Sequence, residues 1–463
     1  MTNSARDRAV EIVRTLRDAG KTAYLAGGCV RDELLGLTPT DYDVATDATP
    51  DQIARIFPRT SLVGAAFGVV LVHQGKGKAG KGRTTEVATF RTDIGYGDKR
   101  RPDRIEFTDA EHDAQRRDFT INALFLDPLE TGSEDDGGEA VPAQARVIDY
   151  VDGRRDLEAR IVRAVGEPSR RLDEDHLRAL RAVRFACRLG FDLDPATADA
   201  IRAHASELTG VSKERVGEEL RKMLAHPARA RAVRMIDDLG LDTPTLGKAT
   251  VPVSGPESGP VSGAASGTGP GMAPDATPPG GGDTHDLLAR LDPDASFPLA
   301  LSTLALERHG RQPTAHGAAD AIVRWRRSLC LSNEERDACA RILETLMLLR
   351  AVWFKEPVAR QKRIAMARSF PDAHRLLRAV DPARADRVQA RLAELEAIGM
   401  GLDPDPLLDG EALIGLGLAP GPDFARILNG VYDGQLDGRV TDSDSALALA
   451  RELAASFGVQ DDT

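Results

Sequence analysis

Aromatic side chains are scarce in this chain, with Phe, Trp and Tyr at 4% of 463 residues. That excludes a surface that stacks base after base on rings. No apolar run approaches the roughly 20 residues a membrane-spanning helix needs. The first ten residues, MTNSARDRAV, lack the apolar core of a secretory signal. Both absences predict a cytoplasmic protein that does not engage a membrane. The four cysteines, Cys29, Cys187, Cys330 and Cys339, form no CxxC pair, so isolated thiols are expected rather than disulfides or zinc ligands. The nine histidines show neither HExxH nor HxxxH spacing, and no dedicated histidine metal site is expected. Excess positive charge is missing too: 61 basic against 72 acidic residues leave a net charge of −11. A uniformly basic coat for nucleic acid is excluded, while a local basic face is not.

The chain is long enough for roughly three domains of about 150 residues. A helical pattern over 4–19 stops at Gly20, and TAYLAGG (22–28) reads as a strand running into glycines. CVRDELL (29–35) reads as a helix and DYDVAT (41–46) as a strand. Thr49, Pro50 and Gln52 form a helix start, with Thr as cap, Pro at the first position and Gln as capping-box partner. GVVLVH (68–73) and TTEVATF (84–90) are strands across a Gly/Lys-rich hairpin at 74–83, and 130–145 is a polar insertion. Beyond about residue 150 helical patterns take over, at 173–189, 195–208, 212–225 and 227–239. Residues 251–282 contain 16 Gly or Pro in 32 positions, which predicts a segment without a core. Helical patterns resume at 284–308, 333–352, 357–369, 383–398, 422–433 and 443–456. The expected fold is α+β: a mixed-sheet head (1–150), then an all-α neck (151–240), a Gly/Pro-rich disordered insertion (241–283) and a helical body and tail (284–463).

The first chemical signal is Asp41 and Asp43 in PTDYDVAT. On a strand, positions i and i+2 share a face, and two adjacent carboxylates repel unless a cation neutralises them. Hard oxygen donors suit Mg²⁺. A solvated turn with two acids carries the same letters. Upstream, Gly27 and Gly28 stand at a strand-to-helix junction, where backbone N–H groups attract phosphate, and Arg31 follows one turn later. Glu86 lies on a strand that could flank the Asp41/Asp43 strand, as a third carboxylate or as a water-facing acid. Arg116, Arg117 and Asp118 crowd three charges ahead of an apolar stretch. Asp175 and Arg178 fall at i and i+3 of a helical pattern, and Arg181 and Arg184 continue the row. A carboxylate beside a guanidinium offers an acceptor and donors to a nucleobase edge, or is an ordinary surface ion pair.

GGCVRDELLG (27–36) followed by DYDVATDATP (41–50) resembles the head motif of the class II tRNA nucleotidyltransferase and poly(A) polymerase family. The likeness continues through EVATFRTDIGYGDKRRP (86–102), RRDFTINAL (116–124) and VIDYVDGRRDLEARIVRAVG (147–166). It goes on through DEDHLRALRAVRFACRLGF (173–191), VSKERVGEEL (211–220) and a tail segment at 410–438. The resemblance implies a nucleotidyltransferase-type head and template-independent addition of CCA to the 3′ end of tRNA. CTP and ATP would be the substrates, and pyrophosphate would be released. It assigns Mg²⁺ to Asp41 and Asp43; Glu86 is the candidate third catalytic carboxylate from its strand alone. It assigns the triphosphate to Gly28 and Arg31, further nucleotide contact to Arg117, and the ribose to Asp118. Asp175 and Arg178 would read the base, with Arg181 and Arg184 nearby. Arg91, Asp93, Tyr96, Asp98, Arg100 and Arg101 would belong to a mobile loop that adjusts the pocket between CTP and ATP. The body and tail would grip the tRNA acceptor arm, and no DNA partner is implied. An A-adding enzyme, a poly(A) polymerase and a non-catalytic RNA-binding descendant are the alternatives. The segments 74–83, 130–145 and 251–282 depart from the family pattern as insertions. Lys76, Lys78, Lys81 and Arg83 in the first are either a phosphate contact or a solvated loop. No HD-type metal motif follows, so no appended phosphohydrolase is implied.

Overall fold

A computed structural model describes residues 4–62, 68–74, 83–95, 104–129, 147–247, 286–308 and 315–457. Residues 75–82, 96–103, 130–146 and 248–285 lie outside that set, and with them Lys76, Lys78, Lys81, Tyr96, Asp98, Arg100 and Arg101. The three insertions fall almost wholly in those gaps. The chain divides into two compact units, one of Met1–Met223 with Arg231–Ala249, the other of Leu224–Ala230 with Thr250–Thr463.

The first unit begins with helix α1 (Ala5–Asp18). Ser4 and Asp7 form a reciprocal capping box, and the helix buries Ala9, Ile12, Val13 and Leu16. Strand β1 (Ala23–Ala26) leads through Gly27 into α2 (Gly28–Leu34), and β2 (Asp43–Thr46) follows. Helix α3 (Pro50–Ile56) starts on the Thr49/Gln52 box with Pro50 in its first turn. Strands β3 (Thr60–Ser61), β4 (Val69–Gln74) and β5 (Arg83–Thr89) complete one side of the sheet. A separate hairpin of β6 (Arg91–Ile94) and β7 (Arg104–Phe107) precedes α4 (Ala110–Gln115). Strands β8 (Phe125–Leu126) and β9 (Val147–Ile148) close the sheet, whose order is β3-β4-β5-β2-β1-β8-β9. Among the described pairs of this sheet β2 and β5 run parallel, and the others are antiparallel. Tyr24, Phe90 and Phe125 pack one face, with ring centroids 5.8–6.2 Å apart.

Helices α5 (Gly153–Ala159), α6 (Pro168–Glu174), α7 (Arg178–Leu189), α8 (Pro195–His204), α9 (Lys213–Leu224) and α10 (Arg229–Asp238) follow. A short parallel pair, β10 (Ile161–Val162) and β11 (Asp192–Leu193), sits among them. Two local expectations need correction. The strand begins at Asp43, so Asp41 lies in the preceding loop rather than on it. The helix expected over 173–189 is broken. Asp175 is extended (φ −159°, ψ 101°), its carboxylate accepts from the Leu177 N–H at 3.1 Å, and α7 starts only at Arg178. An aspartate that caps its own turn competes with helix continuation.

Among its described residues the second unit has helices as its regular elements, joined by loops and turns. Helix Phe297–Arg308 buries eight consecutive residues from Leu299 to Leu306, a central helix apolar on every side. The tail core gathers Leu408, Leu413, Leu418, Ile427, Val431, Val440, Ala446, Ala450 and Ala454. Lys362 is fully buried in helix Val358–Ala365, and its Nζ donates to the carbonyls of Ile398 (2.6 Å) and Gly401 (2.7 Å). An aliphatic replacement would leave both carbonyls unmet, at about 1–3 kcal/mol. Lys362→Met is therefore expected to lower the urea midpoint of unfolding without changing its slope; an unchanged midpoint would show that the two bonds contribute nothing net.

Candidate active site

Strands β2 and β5 pair in parallel with Val44 opposite Val87, so Asp43 and Glu86, one residue earlier on each, stand side by side. Val44 and Val87 are buried beneath them while Asp43 and Glu86 face solvent, as strand alternation requires. Asp41 joins them from the loop. All three line a cavity of about 390 Å³ together with Ala5, Arg8, Thr40, Tyr42, Leu71, Thr84 and Thr85, so one arginine shares the cavity with the three acids. Tyr42 is turned the other way, and its hydroxyl donates to Glu33 Oε1 on α2 at 2.8 Å. That anchor holds the loop so that Asp41 and Asp43 reach the same cleft. The Asp43 carboxyl is pushed up to about 6: desolvation by the cleft walls leads, then Glu86 and Asp41 raise it and Arg117 lowers it. Among the described residues no salt bridge neutralises Asp43 or Glu86. Three hard oxygen donors converging without an offsetting ion pair fit a divalent cation.

Gly27 carries φ +76°, and a Cβ there would stand 2.9 Å from Arg117 Nη1. That backbone conformation, with ψ −127°, is one only glycine adopts readily, and it lets the Arg117 guanidinium come close. Arg117 is oriented by Asp113, which accepts from its Nε (3.1 Å) and Nη2 (3.0 Å), and it lies over the Phe125 ring at 4.9 Å. Arg31 is not presented to the cleft. It is 2% exposed, donates to Asp32 at 2.7–2.8 Å and to Asn122 Oδ1, and lies over Phe185. Burial lowers its pKa, with Asp32 opposing. A phosphate-reaching arginine was expected here; the geometry shows one that holds α2 against its neighbours, with Nη2 3.6 Å from where a Cβ on Gly28 would be.

Asp118 accepts from Arg181 Nε (2.9 Å) and Nη2 (2.5 Å), and from Asn122 Nδ2 at 3.1 Å. Burial alone would raise its pKa, but Arg181 and the hydrogen bonds bring it to about 2. Arg184 donates to Glu219 at 2.5 Å and stacks 4.1 Å from the Phe185 centroid. Asp175 pairs with Arg215 (2.6 and 3.2 Å), while Arg178 donates to Glu174 and to the Arg171 carbonyl, each at 2.6 Å. The expected Asp175–Arg178 pairing is thus replaced by a separate partner for each. Reasoning from sequence missed Asp113, Asn122, Glu174, Arg215 and Glu219. Arg215 and Glu219 lie inside VSKERVGEEL and Asn122 inside RRDFTINAL, where pairing of each new charge or amide with the arginines was the available signal.

The Asp118–Arg181 pair makes a pH prediction. The folded pKa of about 2 lies below the ordinary unfolded value of about 3.9, so its stabilisation is complete above that value and is lost as pH falls toward 2. It is worth about 2–3 kcal/mol on that shift. Asp118→Asn is expected to be less stable at neutral pH and to show a shallower acid-unfolding limb between pH 4 and 2. An acid limb identical to wild type would remove the pair from the account.

Residues 23–163 match the family described as "Poly A polymerase head domain", and residues 190–245 match "Probable RNA and SrmB- binding site of polymerase A". A CCA-adding enzyme of Bacillus subtilis (strain 168) is 40% identical over 230 residues, which are 50% of this chain and 53% of the relative. One from Geobacillus stearothermophilus is 42% identical over 236 residues, again 50% and 53%. The aligned stretch therefore spans about half the length of these relatives. A crystal structure of the Bacillus stearothermophilus CCA-adding enzyme in complex with CTP superimposes with a TM-score of 0.70 at 26% identity, covering 98% of each chain. The Thermotoga maritima CCA-adding enzyme complexed with tRNA shares the fold, with a TM-score of 0.60 at 16% identity over 97% of this chain and 95% of that one. The chain thus carries a poly(A) polymerase head domain at residues 23–163 and, at 190–245, the segment described as the probable RNA-binding site of that polymerase.

Proposed function

We propose that this protein is a cytoplasmic, Mg²⁺-dependent enzyme that adds CCA to the 3′ end of tRNA. The observation that carries the proposal is the convergence of Asp41, Asp43 and Glu86 in one cleft, with Arg117 close enough to lower the Asp43 pKa. Relatives that carry the name CCA-adding enzyme, one of them in complex with CTP and one with tRNA, support the choice of substrates. No described helix is long and apolar enough to cross a membrane. The head and neck, 1–150 and 151–240, would hold the nucleotide. The body and tail, 284–463, would hold the acceptor arm by its shape and phosphates rather than its sequence.

Asp41, Asp43 and Glu86 are the donors for Mg²⁺, which when bound supplies positive charge at the α-phosphate and beside the attacking hydroxyl. The tRNA 3′ oxygen forms a bond to the α-phosphorus of CTP or ATP, and the bond to pyrophosphate breaks. Gly27 and Gly28 leave room for the triphosphate, and Arg117, fixed by Asp113, offers it a guanidinium. Arg31 would act from beneath, as part of the wall that sets the glycines. Asp118, already bound to Arg181 and Asn122, presents a fixed acceptor edge to the ribose. Asp175 accepts from the exocyclic amine that cytosine and adenine share, and Arg178 donates to the ring acceptors beside it. Both must first loosen their hold on Arg215 and Glu174. Arg181 and Arg184 keep that face of α7 rigid through Asp118 and Glu219.

The decisive assay offers CTP, ATP or both, with Mg²⁺, to tRNA transcripts that end before CCA, after C and after CC. Ordered addition of C, C and A that then stops is expected. Addition of A only to the transcript ending in CC would instead mean an A-adding enzyme, and long A tails a poly(A) polymerase. Asp43→Asn is expected to lower incorporation by about a thousandfold, the equivalent of several kcal/mol of charge stabilisation, with the fold intact. Wild-type turnover in that variant would contradict the carboxylate assignment. Arg178→Ala should degrade the choice between CTP and ATP more than it weakens metal binding, which single-nucleotide incorporation assays read directly; unchanged selectivity and rate would sink the base-reading role.

A further inference from the structure

Away from the cleft, side chains from two distant stretches of sequence meet around one point. His176 stands in the turn between α6 and α7, His204 is the last residue of α8, and Glu207 lies in the 3-10 turn Ala205–Gly210. Their donor atoms all lie within 4.8 Å of one another. His176 Nε2 is 3.0 Å from Glu207 Oε2, and His204 Nδ1 is 3.1 Å from Glu207 Oε1. Asp173 Oδ1 approaches His204 Nδ1 to 3.5 Å. The two imidazoles stack at 6.0 Å and 25°. Glu167, the cap of α6, is close enough for its carboxylate to sense His204.

We propose that His176, His204 and Glu207, with Asp173 as a fourth donor, form a Zn²⁺ site that ties the α6–α7 turn to the end of α8. Tetrahedral zinc with bonds of about 2.0–2.1 Å places its donors about 3.3 Å apart. The contacts of 3.0 and 3.1 Å to the two oxygens of Glu207 and of 3.5 Å to Asp173 bracket that separation, and the two imidazole nitrogens, within 4.8 Å of each other, would draw together on the ion. Two imidazoles with carboxylates suit zinc, whereas the all-oxygen cleft suits magnesium. The carboxylates of Asp173 and Glu207 stand against the two rings, so the cluster favours an added cation. His176 is 4% exposed in its side chain, but Glu207 (38%) and Asp173 (57%) open the site to solvent and give the ion a way in. Local spacing motifs do not reveal the cluster, because α6–α7 and α8 supply its parts separately.

The site has one consequence for the reaction. His176 adjoins Asp175, so an ion there would restrain the turn that carries the proposed base-reading carboxylate. That consequence rests on the reading of Asp175 above; the binding of zinc does not. The test therefore uses metal binding alone. Full-length protein is stripped with chelator, loaded with Zn²⁺ in excess Mg²⁺, desalted, and its zinc measured by elemental analysis; Co²⁺ loading is read by visible absorption. One zinc per chain, tetrahedral Co²⁺ bands and a zinc-dependent rise in Tm are expected. His204→Ala and Glu207→Gln, both at partly exposed positions, should lose all three, while Asp43→Asn keeps them. Circular dichroism checks that each variant is folded. The proposal is overturned if wild type retains no zinc, if His204→Ala and Glu207→Gln retain it fully, or if Asp43→Asn is the variant that loses it.

Discussion

Asp43 and Glu86 are forced together by strand register. Their strands are the parallel pair of the described seven-stranded sheet, and the Val44–Val87 alignment leaves neither carboxylate another place to go. Like charges side by side cost free energy, and here the surrounding fold supplies it. The two valines are buried beneath, Phe90 and Phe125 fill the core nearby, and Tyr42 ties the loop carrying Asp41 to Glu33. The cleft's unpaired negative charge is the feature around which the other groups make sense. Arg117 offsets it only in part, and the positive φ of Gly27 lets that guanidinium come near.

The arginines form the second layer. Arg117 is held by Asp113, Arg181 by Asp118, Arg184 by Glu219, and Asp175 by Arg215. Each of these pairs sits at least partly out of solvent, where geometry counts for more than charge number. The lattice runs from the end of α4 to α9 and fixes α7 relative to the head sheet. A nucleotide entering such a site meets donors already aimed, which lowers the ordering cost of binding. Asp175 and Arg178 are already engaged by Arg215 and Glu174, so the base reading proposed for them requires an exchange of partners. Selection between two bases by one pair of side chains is consistent with that exchange.

Much of this was legible in the letters. The Thr49–Gln52 box, the glycine turn into α2 and the acids at 41, 43 and 86 each rest on local chemistry, and the structure brings the three acids to one cleft. The misses share a cause: they depend on contacts across the fold. Arg31 looks like a phosphate ligand from its place after two glycines, yet Asn122 and Phe185 bury it. The continuous helix expected over 173–189 breaks at Asp175, whose carboxylate caps its own turn and also pairs with Arg215, far along the chain. Asp113 reads as one more surface acid on a short helix, and only the fold makes it the common anchor of Arg116 and Arg117. The hairpin of β6 and β7 carries charges rather than apolar alternation, so it read as loop.

The central claim is that the cleft holds uncompensated carboxylate charge meant for a cation. A carboxyl-carbon NMR titration of Asp43 in metal-free protein, repeated with saturating Mg²⁺, tests it most directly. The account predicts an apparent pKa of about 6 without metal, set by desolvation and by Glu86 and Asp41, and a marked fall once Mg²⁺ binds. An Asp43 that titrates at the ordinary carboxylate value of about 3.9, and is indifferent to Mg²⁺, would contradict it.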